Sequence, residues 1–172
     1  AVYTQPLVPG QSLVFDLNLY RTTDTGKALS GRIDNTTWSL MSTYKLDAHS
    51  VGIGYQKVRG DTPFDYVTRG AIYLSNAVAL SDFNAPREAS WQARYDLDLA
   101  AYGVPGLTLA ALYVRGSGID GSHMDSGGGY AWLGYGEGGK HWERDVQVRY
   151  VVQSGVAKNL AFTLRHAVHR GN

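Results

Sequence analysis

Arg149, in "DVQVRYVV", and Arg165, in "AFTLRHAV", are placed so that they could do electrostatic work together. Each falls on the polar parity of an alternating segment, and the short Gln153–Lys158 connection joins the two segments. Fixed positive charge along a confined aqueous path attracts anions, provided each site holds them weakly enough to let go. The competing reading is that both arginines only solvate a polar wall or pair with Asp145 and Asp98. Arg94 and Lys45 share the same parity on other segments and are weaker members of the same set. A second constellation lies in Gly60–Ala89, where "AIYLSNAVAL" precedes "SDF". So long and apolar a connection is expected to fold against something, here inward over the wet face, carrying Ser81 and Asp82 with it. Alternatively, Asp82 serves its own turn as an Asx residue.

Other chemistry fails on spacing. Gly134, Gly136 and Gly139 fit G-x-G-x-x-G, but no buried strand and helix flank them. His123, His141, His166 and His169 do not form a metal-ligand pattern: His166 and His169 fall on opposite parities, and His123 lies in a Gly/Ser stretch. No Ser-His-Asp arrangement can be nominated, and there is no Cys for thiol chemistry or thiolate zinc. The reading is therefore of a protein that is not an enzyme, with no metal and no cofactor. Asn35-Thr36-Thr37 matches a glycosylation sequon and says nothing further.

The elements that position these residues are strands. In "SWQARYDLDLAAY", Trp91, Ala93, Tyr95, Leu97, Leu99 and Ala101 fall on one parity, against Gln92, Arg94, Asp96 and Asp98 on the other. Side chains of a strand point to opposite faces with period two, so such a segment has one apolar and one charged face. The same alternation runs through Leu13–Leu19, Trp38–Leu46, Val51–Tyr55, Leu107–Tyr113, Val146–Val152 and Leu160–Leu164. That makes about seven antiparallel strands and no comparable helix. The fold class is all-β.

The connections then run long, short, long, short, long, short, from Thr22–Asn35 to Gln153–Lys158. Short turns gather at one end of the sheet and long loops at the other, as in transmembrane barrels. The apolar parity carries Trp38, Tyr44, Trp91, Tyr95, Tyr113 and Tyr150, several near strand ends, as an interfacial girdle would. A soluble or surface β-sheet module that binds ligand with its long loops shares the alternation and is the alternative. Charge is 18% of residues and nets +1, which gives no field for nucleic acid. No apolar run has the length of a membrane helix. Without an initial Met or a leader-like segment, the chain is expected to begin after processing or partway through a longer protein.

The phrases "IDNTTWSL", "GYQKVRGDTPFDY", "SDFNAPREASWQARYDLDLAAYGVPGLT", "YGEGGKHWERDVQVRYVVQSGVAKNL" and "HRGN" resemble the OprD-type porins, the outer-membrane carboxylate channels of Gram-negative bacteria. The resemblance covers essentially the whole chain. It implies an antiparallel transmembrane β-barrel of about 18 strands, located in the bacterial outer membrane. Such a barrel gives diffusive uptake of small carboxylate-containing solutes, either organic or aromatic acids or amino acids. Residues 1–172 would be one unit, a C-terminal-half piece lacking the closing strand. The expected partners are small carboxylate solutes and outer-membrane lipid, with the protein a monomer or weak homotrimer. The resemblance also implies that Arg149 and Arg165 belong to a ladder of basic side chains guiding carboxylates, and that Asp82, with Ser81, belongs to the eyelet. Thr163 and Leu112 stand where a further basic residue would fit, so the ladder is thinner here. Leu80 and Ala77 make the eyelet less polar, which leans the solute toward organic acids.

Overall fold

The computed structural model describes residues 1–65 and 73–171. Eight strands form one sheet in sequence order, every neighbour antiparallel. They are β1 (Val2–Pro6), β2 (Gln11–Thr23), β3 (Asp34–Leu46), β4 (His49–Arg59), β5 (Ala89–Asp98), β6 (Leu107–Asp120), β7 (Glu137–Val151) and β8 (Ala161–Gly171). The sequence reading finds seven. The additional strand is β1, whose five residues are too few to display a period; it is fixed instead by pairing, from Val2 opposite Asp16 to Pro6 opposite Ser12. The strand at Trp91 is also shorter than its alternation suggests. Asp98 turns its carboxylate onto the Ala100 N–H at 2.9 Å and starts a 3₁₀ turn over Leu99–Tyr102, so Leu99 and Ala101 leave the sheet.

This nearest-neighbour order puts the turns 7–10, 47–48, 99–106 and 152–160 at one end and the loops 24–33, 60–88 and 121–136 at the other. The two faces are inverted relative to a soluble domain. Leu19 is 66% exposed and Leu164 74%, whereas Asn35, Thr37 and Ser39 are fully buried. Burying a leucine side chain is worth about 1.5–3 kcal/mol, so a sheet that turns its leucines outward and its amides inward is stable only against an apolar solvent. That observation removes the soluble-module alternative. The outward aromatics form two belts. At the loop end Trp38 contacts Tyr55, and Trp91, Tyr113 and Trp142 follow across β5–β7 with ring centres 5.4 and 6.0 Å apart. At the turn end His49 receives or donates hydrogen bonds to the hydroxyls of Tyr95 (2.6 Å) and Tyr102 (2.9 Å). Amphipathic rings of this kind sit at the headgroup level of a bilayer.

Candidate functional site

The concave wall of the sheet is polar, and the described parts of the β4–β5 connection, residues 60–65 and 73–88, fold down onto it. Its first residues are held by Asn35, whose Nδ2 donates to the Thr62 carbonyl at 2.7 Å. Farther along, Gln56 of β4 makes three bonds with the connection. Its Nε2 donates to the carbonyls of Asp82 (3.0 Å) and Phe83 (2.9 Å), and its Oε1 accepts from the Asn76 N–H (3.0 Å). The Ser75 N–H donates to Ser39 Oγ at 3.1 Å, and Asn76 Nδ2 donates to Ser90 Oγ at 2.9 Å. From the opposite wall Glu143 of β7 accepts the Leu80 N–H at 2.7 Å. Phe64, Leu74 and Phe83 of the connection are buried, Phe64 against Tyr20 and Phe83 against His141. Two glycines make the approach possible. A Cβ on Gly54 would lie 2.9 Å from Asn76 Oδ1, and one on Gly116 would collide with Glu88.

Glu88 closes the connection. Its Oε2 accepts the Ala85 N–H at 3.0 Å, and its Oε1 lies 2.6 Å from His141 Nε2. His141 Nδ1 is in turn 2.8 Å from His169 Nε2, and the Phe83 ring stacks on His141 with centres 4.2 Å apart. His141 and His169, which look scattered in the sequence, therefore form one chain with Glu88 that fastens the connection to β7 and β8. Outside the sheet, Tyr130 donates to Asp65 at 2.6 Å; burial, then that carboxylate, push its phenol up to about 12.

The basic residues that sequence parity selects all lie on the concave wall, but not together. Arg94 and Arg165 line one hollow of about 240 Å³, with Asp145 and Leu112 in its wall and Ala77–Ala79 over it. Arg165 gives two N–H groups to the single neutral acceptor Gln147 Oε1, at 2.9 and 2.6 Å. Arg94 is instead neutralised by Asp96 in a two-pronged pair, 2.7 Å at each contact. Lys45 lines an adjoining hollow of about 400 Å³ together with Arg94, Asp16 and Asp96. Arg149 lies opposite Thr163, one rung nearer the short turns than Arg165, which faces Gln147. It lines neither hollow. Among the described residues neither Arg149 nor Arg165 makes an ion pair with Asp145 or Asp98.

Asp82 is held by its backbone, through Gln56, and is an exposed residue whose carboxyl is partly shielded by its surroundings. No Asx bond from its carboxylate is found among the described residues. Ser81 Oγ accepts the Phe83 N–H at 3.4 Å, and the Ser81 carbonyl accepts from Val78. Of the apolar run that leads to them, Ala71 and Ile72 lie outside the described residues. Partial burial pushes the Asp82 carboxyl above its ordinary value. The folded protein thus binds this proton more readily than the unfolded chain, so docking of the connection firms as pH falls through the raised value, while the negative charge is lost. The cation-attracting contribution of Asp82 is expected to fade at a pH above the usual carboxylate range. Reversal potentials recorded across a pH series should show this step in the parent and lack it in Asp82→Asn; identical profiles would exclude Asp82 from the conduction path.

Gln56, Glu88, Glu143 and Asn76, which fix the connection, escape a reading by charge alone. Their signal was available in part: each strand member has the same parity as Arg94, on a face where the sequence offers it no partner.

The chain matches, over residues 1–172, the family model described as outer membrane porin, OprD family. It is 56% identical over 180 residues to Porin D of Pseudomonas aeruginosa, covering 99% of this chain and 41% of that protein. Porin-like protein GalP of Pseudomonas putida is 33% identical over 149 residues, 86% of this chain and 32% of that protein. Among solved structures, the outer membrane protein OprD from Pseudomonas aeruginosa superposes with a TM-score of 0.95 at 57% identity, covering 99% of this chain and 45% of that one. OccD3 (OpdP) of the same species gives 0.93 at 40% identity, covering 99% and 43%. The chain spans less than half the length of these relatives.

Proposed function

The chain belongs to the OprD family of outer-membrane porins, and we propose that in the complete barrel its concave wall guides small carboxylate-bearing solutes past the connection 60–88 by diffusion. One observation carries this reading: Arg165 lines the hollow under Ala77–Ala79, gives two hydrogen bonds to the neutral Gln147 and makes no ion pair with Asp145 of the same wall among the described residues. A guanidinium has five N–H donors in a fork that matches a carboxylate, so three remain for a solute. Arg149, one rung toward the short turns, takes the solute next; Arg94 and Lys45 contribute less because Asp96 and Asp16 share their hollow. Asp82 and Ser81 narrow the approach. The apolar strip Ala77–Ala79 offers a surface to the body of the solute, which favours organic and aromatic acids. Asp145, buried in the same wall with one carboxylate oxygen lacking a partner among the described residues, supports amino acids as a second class. β1 and β8 pair in the barrel with strands beyond this chain, since unpaired edges are not tolerated in lipid.

Single-channel current through the full-length porin, with benzoate, a dicarboxylate and a basic amino acid added in turn, tests the proposal. Carboxylates should interrupt or carry the current at concentrations where the corresponding alcohols and amides do nothing. Equal effects from acids and their neutral counterparts would discard it.

A further inference from the structure

The lipid-facing wall carries a charge pattern that solute conduction does not use. At the loop end of β6, β7 and β8, the outward positions form short rows across the strands. Arg115 of β6 pairs with Trp142 of β7, which pairs with Arg170 of β8. One row toward the loops Ser117 pairs with Lys140, and one row toward the turns Tyr113 pairs with Arg144. With strands about 4.8 Å apart and about 3.4 Å of rise per residue, Arg115, Lys140, Arg144 and Arg170 all stand within about 10 Å of the Trp142 position. All four are exposed.

Among the described residues no carboxylate answers them. From the Ser117–Lys140 row to the short turns, no outward position on β4–β8 is Asp or Glu; Asp96, Asp98, Glu143 and Asp145 have the concave parity, and Asp120 and Glu137 lie beyond that row on the loop side. None of the four cations makes an ion pair among the described residues, whereas Arg21, Arg87 and Arg94 all do. Lys57, in the same row as Lys140, is occupied by the Arg87 carbonyl at 2.6 Å. Three of the cations, Arg115, Lys140 and Arg170, line a shallow groove of about 380 Å³ with Tyr113, Trp142, His141 and Gly171. Tyr113 and Trp142 belong to the aromatic belt, which sets the groove at headgroup depth. Arg144, one row deeper, can reach the same level by snorkelling its stem along the wall.

We propose that Arg115, Lys140, Arg144 and Arg170, grouped around Trp142 on the outward wall, bind the phosphate-bearing headgroup of a membrane lipid. The reading rests on the outward face being the lipid face. Arginine forks and the lysine ammonium supply the donors that phosphate oxygens accept, and the Trp142 and Tyr113 rings pack against the headgroup's backbone. A soluble anion would find the same charges. A lipid is favoured because Arg115, Lys140, Trp142 and Arg170 have the outward parity of the apolar wall and not that of Arg94 and Arg165.

The test uses the full-length porin in neutral detergent micelles, with bound lipid counted by native mass spectrometry. The probes are lipid A, dephosphorylated lipid A and inorganic phosphate. An interfacial cation contributes about fivefold in affinity for an anionic lipid. Replacing Arg115, Lys140 and Arg170 together by Gln should therefore weaken lipid A binding about 100-fold, and Arg170→Gln alone about fivefold if the triple variant fails to assemble. Dephosphorylated lipid A should bind the parent as weakly as lipid A binds the variant. Unchanged binding in the variants, or equal binding of both lipids, would overturn the proposal. So would displacement of lipid A by submillimolar inorganic phosphate, which would mark a small-anion site. Conductance of the variants should match the parent, which separates failure of this site from failure of the channel reading; a parent that neither inserts nor conducts would count against the lipid face itself.

Discussion

Replacing Gln56 by Ala in the full-length porin is expected to raise single-channel conductance and to erase discrimination among solutes. Gln56 is buried and makes the bonds to Asn76, Asp82 and Phe83 that hold the middle and the end of the connection against β4. Each net hydrogen bond is worth about 1 kcal/mol, and a buried group left unpaired costs about 1–3 kcal/mol. Loss of all three therefore weakens docking by about 3 kcal/mol, or about 100-fold in the ratio of docked to released connection. The bonds from Asn35, Ser39 and Glu143 remain and keep the connection tethered. The outcome should be a noisy current with more than one open level, together with faster protease cleavage between residues 73 and 88. Parent-like conductance and cleavage would show that the apolar contacts of Phe64, Leu74 and Phe83 hold the constriction without Gln56.

Arg165→Ala should cut the passage of small carboxylates about tenfold and leave neutral solutes of the same size unaffected. A unit charge about 5 Å from a carboxylate contributes about 1–3 kcal/mol between the dielectric of water and that of a protein surface. On the proposed reading Arg165 offers this to a solute, because Gln147 takes two of its hydrogen bonds without cancelling its charge. The double variant Arg94→Ala/Asp96→Ala provides the internal comparison. Asp96 neutralises Arg94 at 2.7 Å, so removing the pair together leaves the net charge unchanged and should change carboxylate flux by less than about threefold. Arg165→Lys, which keeps the charge and loses the fork, should fall between the parent and the alanine variant. Equal losses in the pair variant and in Arg165→Ala would mean that parity, and not local neutralisation, decides which basic residues guide the solute.

The physics behind these two expectations was unequally visible in the sequence. That Arg165 and Arg94 share a wet face follows from period two alone, because a strand leaves its side chains no third direction. Which of them keeps its charge does not follow. Asp96 is two residues from Arg94 on the same face, and Gln147 reaches Arg165 only through the β7–β8 register. Gln56 was invisible for a related reason. Its partners lie 20 to 27 residues away on an irregular segment, and no periodicity encodes where such a segment lands.

Sequence by itself determined the all-β class, the antiparallel order, the two faces of every long strand and the ends at which turns and loops gather. These follow from alternation and connection length, which are local properties of the chain. It also pointed the apolar face toward lipid, through the segregated turns and loops and the aromatic girdle, although a half-buried strand taken alone reads the same in water and in lipid. The exposure of Leu164 and the burial of Asn35 then removed the soluble alternative. It could not place the short strand Val2–Pro6, the docking of the connection on Gln56 and Glu143, or the chain from Glu88 through His141 to His169. Val2–Pro6 is too short to show a period and is fixed by pairing with Ser12–Asp16. The other two depend on buried residues far apart in sequence satisfying one another's hydrogen bonds, and only the register of the assembled sheet brings them within reach.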